Sequence, residues 1–299
     1  MFSMQLSGFY PATVLRHALI ALLLATLIAG CSTATRRSVE TVTPVQQQAR
    51  ELEASGDYAG AARLYISAAS RATAGKEQQA LQLQAAASLI RGEDFAAARR
   101  LLDEMPPKLA SSDLQQHYSV NRAAIALAEQ HPLEALALLD TVSAGGAYAV
   151  DLHRLRAEAY LQEFRYFLSA RERVQLDPLL TDPEARLDNE FAIWETLNRL
   201  TDVELQQLRT APPPDPLSGW MELVELSRLY LQQPEALAEV TPHWQQRYPG
   251  HPASEAFIPK LLESMSQAGQ PPAQIALLLP LNGKLAEAAT AIRDGVLAA

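Results

Sequence analysis

Disulfides are excluded at once, because Cys31 is the only cysteine among 299 residues. A fold without thiol pairs or thiolate metal sites must be held by packing alone. Aromatic residues make up only 6% of the chain, and β-branched runs are almost absent before residue 274, which argues against an extensive sheet. Cationic charge is in the minority, with 25 Lys and Arg against 34 Asp and Glu, so no basic patch is available to hold nucleic acid. No Gly-x-Ser-x-Gly elbow and no phosphate-binding loop occurs. The histidines (His17, His117, His131, His153, His243 and His251) are isolated singletons without metal-ligand spacing, so neither a metal nor a cofactor is expected. His243 and His251, near Trp244 and Tyr248, read as parts of a packed aromatic corner. Asp182, Glu184, Asp188 and Glu190 could be taken for a glycan-cleaving carboxylate pair. Asp182-Pro183-Glu184 is instead a helix-start signal, which places these acids at solvated helix ends. No catalytic constellation emerges, and the chain reads as a non-enzyme.

The first segment carries an address. Residues 1–30 contain Arg16 and no acid, followed by an apolar run from Ala18 to Ala29. That run, of about 12 residues, falls short of the roughly 20 that span a bilayer as a helix. Leu27-Ile28-Ala29-Gly30-Cys31 then presents small side chains for a peptidase and a thiol for a lipid transferase. The pattern is that of a lipoprotein signal peptide over 1–30, with Cys31 the lipidated first residue of the mature chain. Several acyl chains on one residue suffice for stable anchoring where one does not. Ser32, in place of an aspartate, points to the periplasmic side of the outer membrane. Removing 1–30 takes one of the 25 basic residues and none of the 34 acids, which moves the net charge from −9 to −10.

Alanine and leucine then dominate, as in packed helices. Residues 31–45, with Arg36, Arg37 and Pro44, lack helical periodicity and read as a tether. From about Gln46 to residue 268 a helical domain is expected. Gly56-Asp57-Tyr58 reads as a turn and cap between two helices, with Ala61 allowing close approach and Tyr65 filling the space beside it. The unit recurs: Ala61, Ala98 and Ala135 stand 37 apart, as do Leu64, Leu101 and Leu138, and Ala49, Ala86 and Ala123 on the first helices. Three tetratricopeptide-like units follow from this. The register then fails, because 37 beyond Ala135 is Glu172. Further helices are expected at 151–176, 183–199, 202–209, 219–232, 234–247 and 254–268, with Leu187, Phe191, Trp194, Leu197 and Leu200 forming a buried seam. The fold class is thus all-α, a tetratricopeptide-like helical solenoid whose groove side chains include Gln82, Gln116 and Arg122.

Residues 269–274 form a linker. Residues 275–299 read as one β-turn-α unit, with an apolar strand at 275–279 and a helix carrying Leu285, Ala288, Ala289, Ile292 and Val296. A lone unit cannot bury both faces of its strand. It is read as the truncated start of an α/β domain, and the chain as a fragment or a truncated gene product.

The order of these parts resembles the LpoA family of penicillin-binding protein activators: the lipobox at Cys31, the helical repeats, the tract WQQRYPGHP at 244–252, and IALLLPLNGKLAEAATAIRDG. The last segment looks like the opening of a type I periplasmic-binding-protein-like domain. The resemblance implies an outer-membrane lipoprotein that activates a class A penicillin-binding protein by direct contact, through the second domain of which this chain holds only the beginning. The competing expectation is a solute-binding lipoprotein of an ABC transporter with a helical accessory domain.

Overall fold

The computed structural model describes residues 44–231, 233–268, 277–280 and 282–298, and every regular element among them is helical. The chain divides into two compact units, residues 1–48 and 49–299. Cys31 and the segments 1–30 and 31–43 lie outside the described residues. Of the first unit, residues 44–48 are the opening of helix α1 (Pro44–Ala54). Proline suits a first helical turn, where its missing N–H costs nothing.

The second unit continues as helical hairpins. Helix α1 is followed by α2 (Tyr58–Arg71), and α3 (Lys76–Arg91) by α4 (Phe95–Asp103). Helix α5 (Ser112–Ala128) is followed by α6 (Pro132–Leu139), and α7 (Ala149–Gln162) by α8 (Tyr166–Leu176). Each hairpin turns on one residue in the left-handed region: Gly56 (φ 83°), Glu93 (60°), Gln130 (63°) and Phe164 (57°). The next amide closes the turn onto the preceding helix: Asp57 N–H donates to Leu52 O at 2.9 Å, Asp94 to Leu89 at 2.9 Å, His131 to Ala126 at 2.8 Å and Arg165 to Tyr160 at 2.8 Å. These are four copies of one Schellman closure, which satisfies carbonyls that a helix end would otherwise leave unpaired.

The fourth hairpin corrects the expectation of three units, and the helical stretch expected over 151–176 is made of α7 and α8. From Gln130 to Phe164 the spacing is 34 residues, so a search at 37 overshoots it. Once the shift is made, both close-packing columns continue. Ala61, Ala98 and Ala135 are followed by Ser169, and Ala49, Ala86 and Ala123 by Ala157, all fully buried. The serine that replaces alanine is satisfied inside its own hairpin, where its hydroxyl donates to Ala157 O at 2.7 Å. Small residues in these columns let helices approach closely, and the space beside them is filled by Tyr65, Leu102 and Leu139.

One stability consequence follows from the left-handed residues. Gln130 is exposed and its side chain has no part in the turn that its backbone strains to make. Gln130→Gly is therefore expected to raise unfolding free energy by about 0.5–1 kcal/mol. Urea denaturation followed by circular dichroism measures this, and an unchanged or lower midpoint would contradict it.

Beyond the fourth hairpin come α9 (Pro183–Leu197), α10 (Asp202–Leu208), α11 (Pro216–Leu229), α12 (Pro234–Arg247), a 3-10 turn at Pro252–Ser254 and α13 (Phe257–Ala268). Side-chain caps explain several starts: Asp182, read as one from the sequence, accepts from Glu184 N and Ala185 N, Thr201 and Glu204 form a capping box, and Asp215 accepts from Ser218 N. The largest core cluster lies here, built on Ile193, Leu197, Leu205, Trp220, Trp244, Tyr248 and Phe257. The expected seam belongs to it: Leu197 and Leu200 are buried, and Leu187, Phe191 and Trp194 pack against it.

The helical part of the expected β-turn-α unit is present as α14 (Ala286–Ala298), with Ala289 buried and Leu285, Ile292 and Val296 exposed. The strand is not formed at 277–280, where Leu278 is 94% exposed. A strand needs a neighbour for its N–H and C=O groups, and no strand occurs among the described residues. Residues 275 and 276 and the linker 269–274 lie outside the described residues. No described helix is long and apolar enough to cross a membrane.

Candidate functional site

The tract at 244–252 builds a corner around a glycine. Gly219 sits in α11 where a Cβ would come within 2.6 Å of the His251 ring and 3.0 Å of Tyr248, so only glycine admits both rings. Its carbonyl accepts the Trp244 indole N–H at 3.2 Å. The His251 ring stands edge-on to Trp220 and Trp244, with centroids 5.2 and 4.8 Å away. His251 Nε2 donates to Pro216 O at 2.9 Å, and Nδ1 accepts from Ala253 N–H at 3.2 Å, which defines one neutral tautomer. Burial holds its pKa down at about 4. Tyr248 donates its hydroxyl to Glu222 at 3.0 Å, and burial, aided by that bond, raises its pKa to about 12. The expected aromatic corner is therefore real for His251. His243 is exposed on α12 and takes no part in it.

Next to this corner is a cleft of about 920 Å³. Helices α8, α9 and α11, the 3-10 turn at Asp177–Leu179 and residues 250–256 line it. Glu190 lies on its wall, 3% exposed, with Oε2 lacking a hydrogen-bond partner. Burial and then the neighbouring Asp177 carboxylate push the Glu190 pKa up to about 7, with Arg186 opposing. Burial also raises Asp177, against an amide donor from Asn189 at 3.2 Å and the charge of Arg186. The Trp220 indole N–H on the same wall has no partner either. An unpartnered carboxylate oxygen and an unpartnered indole N–H on one cleft wall make this the candidate site of the helical domain.

Glu190 was expected at a solvated helix end, and the structure places it in the interior. The signal was available in its spacing. It stands three residues from both Leu187 and Ile193, on the apolar stripe of α9. Of the other acids considered, Asp182 is a helix cap, while Glu184 and Asp188 are exposed.

Of the three groove side chains named from the repeats, two are engaged in structure. Gln116 accepts from Ser143 N–H at 2.9 Å, Arg122 pairs with Asp103, and Gln82 is partly buried. Asp140 and Arg156 repeat the Asp103–Arg122 pairing one hairpin later, at 2.8 Å. His17 lies outside the described residues, His131 is exposed, and two further histidines pack against neighbours. His117 stacks on Tyr148 with its pKa lowered to about 4 by burial, and His153 meets Glu172 at 2.8 Å. No group of three His, Cys, Asp or Glu suited to a metal occurs among the described residues.

Comparison with known proteins places this architecture. Residues 57–299 match the family described as "LppC putative lipoprotein". The penicillin-binding protein activator LpoA of Edwardsiella ictaluri is 31% identical over 288 residues, covering 93% of this chain and 39% of that protein. The LpoA of Mannheimia succiniciproducens is 30% identical over 225 residues, covering 74% of this chain and 38% of its own length. The chain thus spans about two fifths of the curated relatives it matches. Among solved structures, Haemophilus influenzae LpoA superposes with a TM-score of 0.59 at 24% identity, over 78% of this chain and 43% of that one. The amino-terminal domain of E. coli LpoA gives 0.59 at 20% identity, over 67% and 90%. These structures share the helical fold, and with a family match from residue 57 to 299 the protein belongs to the LppC lipoprotein family, in which the LpoA proteins are its relatives.

Proposed function

We propose that this chain is the amino-terminal, lipid-anchored part of an activator of a class A penicillin-binding protein, the bifunctional synthase of peptidoglycan. The observation that supports the reading is the alignment of 93% of the chain with a protein named a penicillin-binding protein activator. Residues 1–30 would direct export, Cys31 would carry the lipid at the periplasmic face of the outer membrane, and 31–45 would be the tether. Residues 46–268 would be the helical arm, 269–274 the linker, and 275–299 the opening of the domain that meets the synthase. The protein would act by contact and not by catalysis.

Two experiments test this. A chimera joining this chain to the remainder of the Edwardsiella relative is added to a class A synthase assay beside the chain alone. Stimulation by the chimera and not by the chain supports the reading. No stimulation by the chimera removes it, and full stimulation by the chain alone overturns the assignment of contact to the later domain. For the anchor, Cys31→Ala is expected to abolish metabolic palmitate labelling, and retained label would show that the lipid is elsewhere.

A further inference from the structure

We propose that the cleft between α8, α9 and α11 binds an organic ammonium ion on an aliphatic stem, its charge taken by Glu190 and its stem lying on Leu187, Leu217 and Trp220. The volume of about 920 Å³ lies within the range of small-molecule sites, and most of the lining is apolar. The charge balance selects the sign of the ligand. Four carboxylates, Asp177, Glu190, Asp215 and Glu255, face two guanidiniums, Arg171 and Arg186, which disfavours an anion.

The distribution matters as much as the total. Asp177 and Glu190 are buried, whereas Arg171 and Glu255 are exposed. Arg186 is the internal cation best placed to serve Glu190, but its Nη2 donates to Leu180 O at 2.6 Å, its Nε is buried without a partner, and neither reaches Glu190 Oε2, which is left without a donor. His251 offers nothing, since both ring nitrogens are already bonded within the corner. An ammonium group brings three donors and no acceptor, which suits an acceptor left unpaired. The free Trp220 N–H gives the opposite complement, a donor for a carbonyl or hydroxyl further along the ligand. A free diamine and a lysyl side chain of a peptide share this chemistry.

Calorimetry on the full chain in detergent separates them. The probes are 1,5-diaminopentane against 1,5-pentanediol, and Gly-Lys-Gly against Gly-norleucine-Gly. At least one charged probe is expected to bind about tenfold more tightly than its uncharged partner. Whichever charged probe is preferred identifies the source. Glu190→Gln should weaken that binding about tenfold. Arg171→Glu, a change at an exposed position that leaves the core untouched, should strengthen it about two- to threefold at low salt. Equal binding of charged and uncharged probes, no binding of either charged probe, or indifference to both substitutions overturns the proposal.

Discussion

Trp244→Ala is expected to lower the unfolding free energy by about 3–5 kcal/mol, the range for deleting a large buried side chain. Trp244 is 1% exposed, and its ring lies 5.4 Å from Tyr248 and 4.8 Å from His251. The substitution empties the centre of the largest core cluster and also leaves the Gly219 carbonyl without the indole N–H it accepts at 3.2 Å. The neighbours cannot collapse into the space. The His251 ring is held at both nitrogens, Tyr248 is held through Glu222, and α11 and α12 are held by their other contacts. Trp244→Phe keeps much of the volume but loses the bond, and should cost roughly half as much, leaving a buried acceptor unpaired. His243→Ala, one residue away and exposed, should change stability by less than about 0.5 kcal/mol. Urea titrations of the three variants decide the matter, and a loss below about 1 kcal/mol for Trp244→Ala would mean the corner is not packed as described.

The contrast between His243 and His251 shows what could be read in advance and what could not. Both flank Trp244 in sequence, and nothing local separates them. The difference is made by Gly219, 32 residues before His251, whose missing side chain opens the space for that ring alone. The repeats were legible where they kept both their period and their residue types, so Ala61, Ala98 and Ala135 gave three hairpins. The fourth was hidden because its spacing is 34, its column residue is Ser169, and its turn residue is Phe164, which carries no sign of a left-handed conformation. What persists through all four is a backbone hydrogen-bond pattern, invisible in residue identities. The apolar run before Pro280 read as a strand because its composition suits one. Composition does not supply the neighbouring strand that would hold it there.

Glu190 carries the second large effect, and its sign is opposite to that of most carboxylates. Its folded pKa of about 7 stands above the ordinary 4.5, so the folded state prefers the protonated acid. Stability from this group is fully present below about 4.5 and is lost as pH rises through about 7. Over that window the loss is on the order of 3 kcal/mol, taking 1.36 kcal/mol per unit. Asp177, also raised by burial, acts in the same direction. His117 and His251 run the other way: held near 4 from 6.5, they contribute stability above 6.5 that is lost as pH falls toward 4. Stability is therefore expected to fall on both sides of a maximum between about pH 5 and 7. Glu190→Gln cannot ionise. The variant should keep the acid limb set by the histidines while losing most of the alkaline limb, gaining on the order of 2–3 kcal/mol relative to the parent between pH 5 and pH 8. Because the comparison is between two pH values, any fixed cost of the amide cancels. Urea unfolding at a series of pH values reads the two limbs separately, and an alkaline limb that survives in Glu190→Gln would place the titrating group elsewhere and leave the cleft without its buried acid.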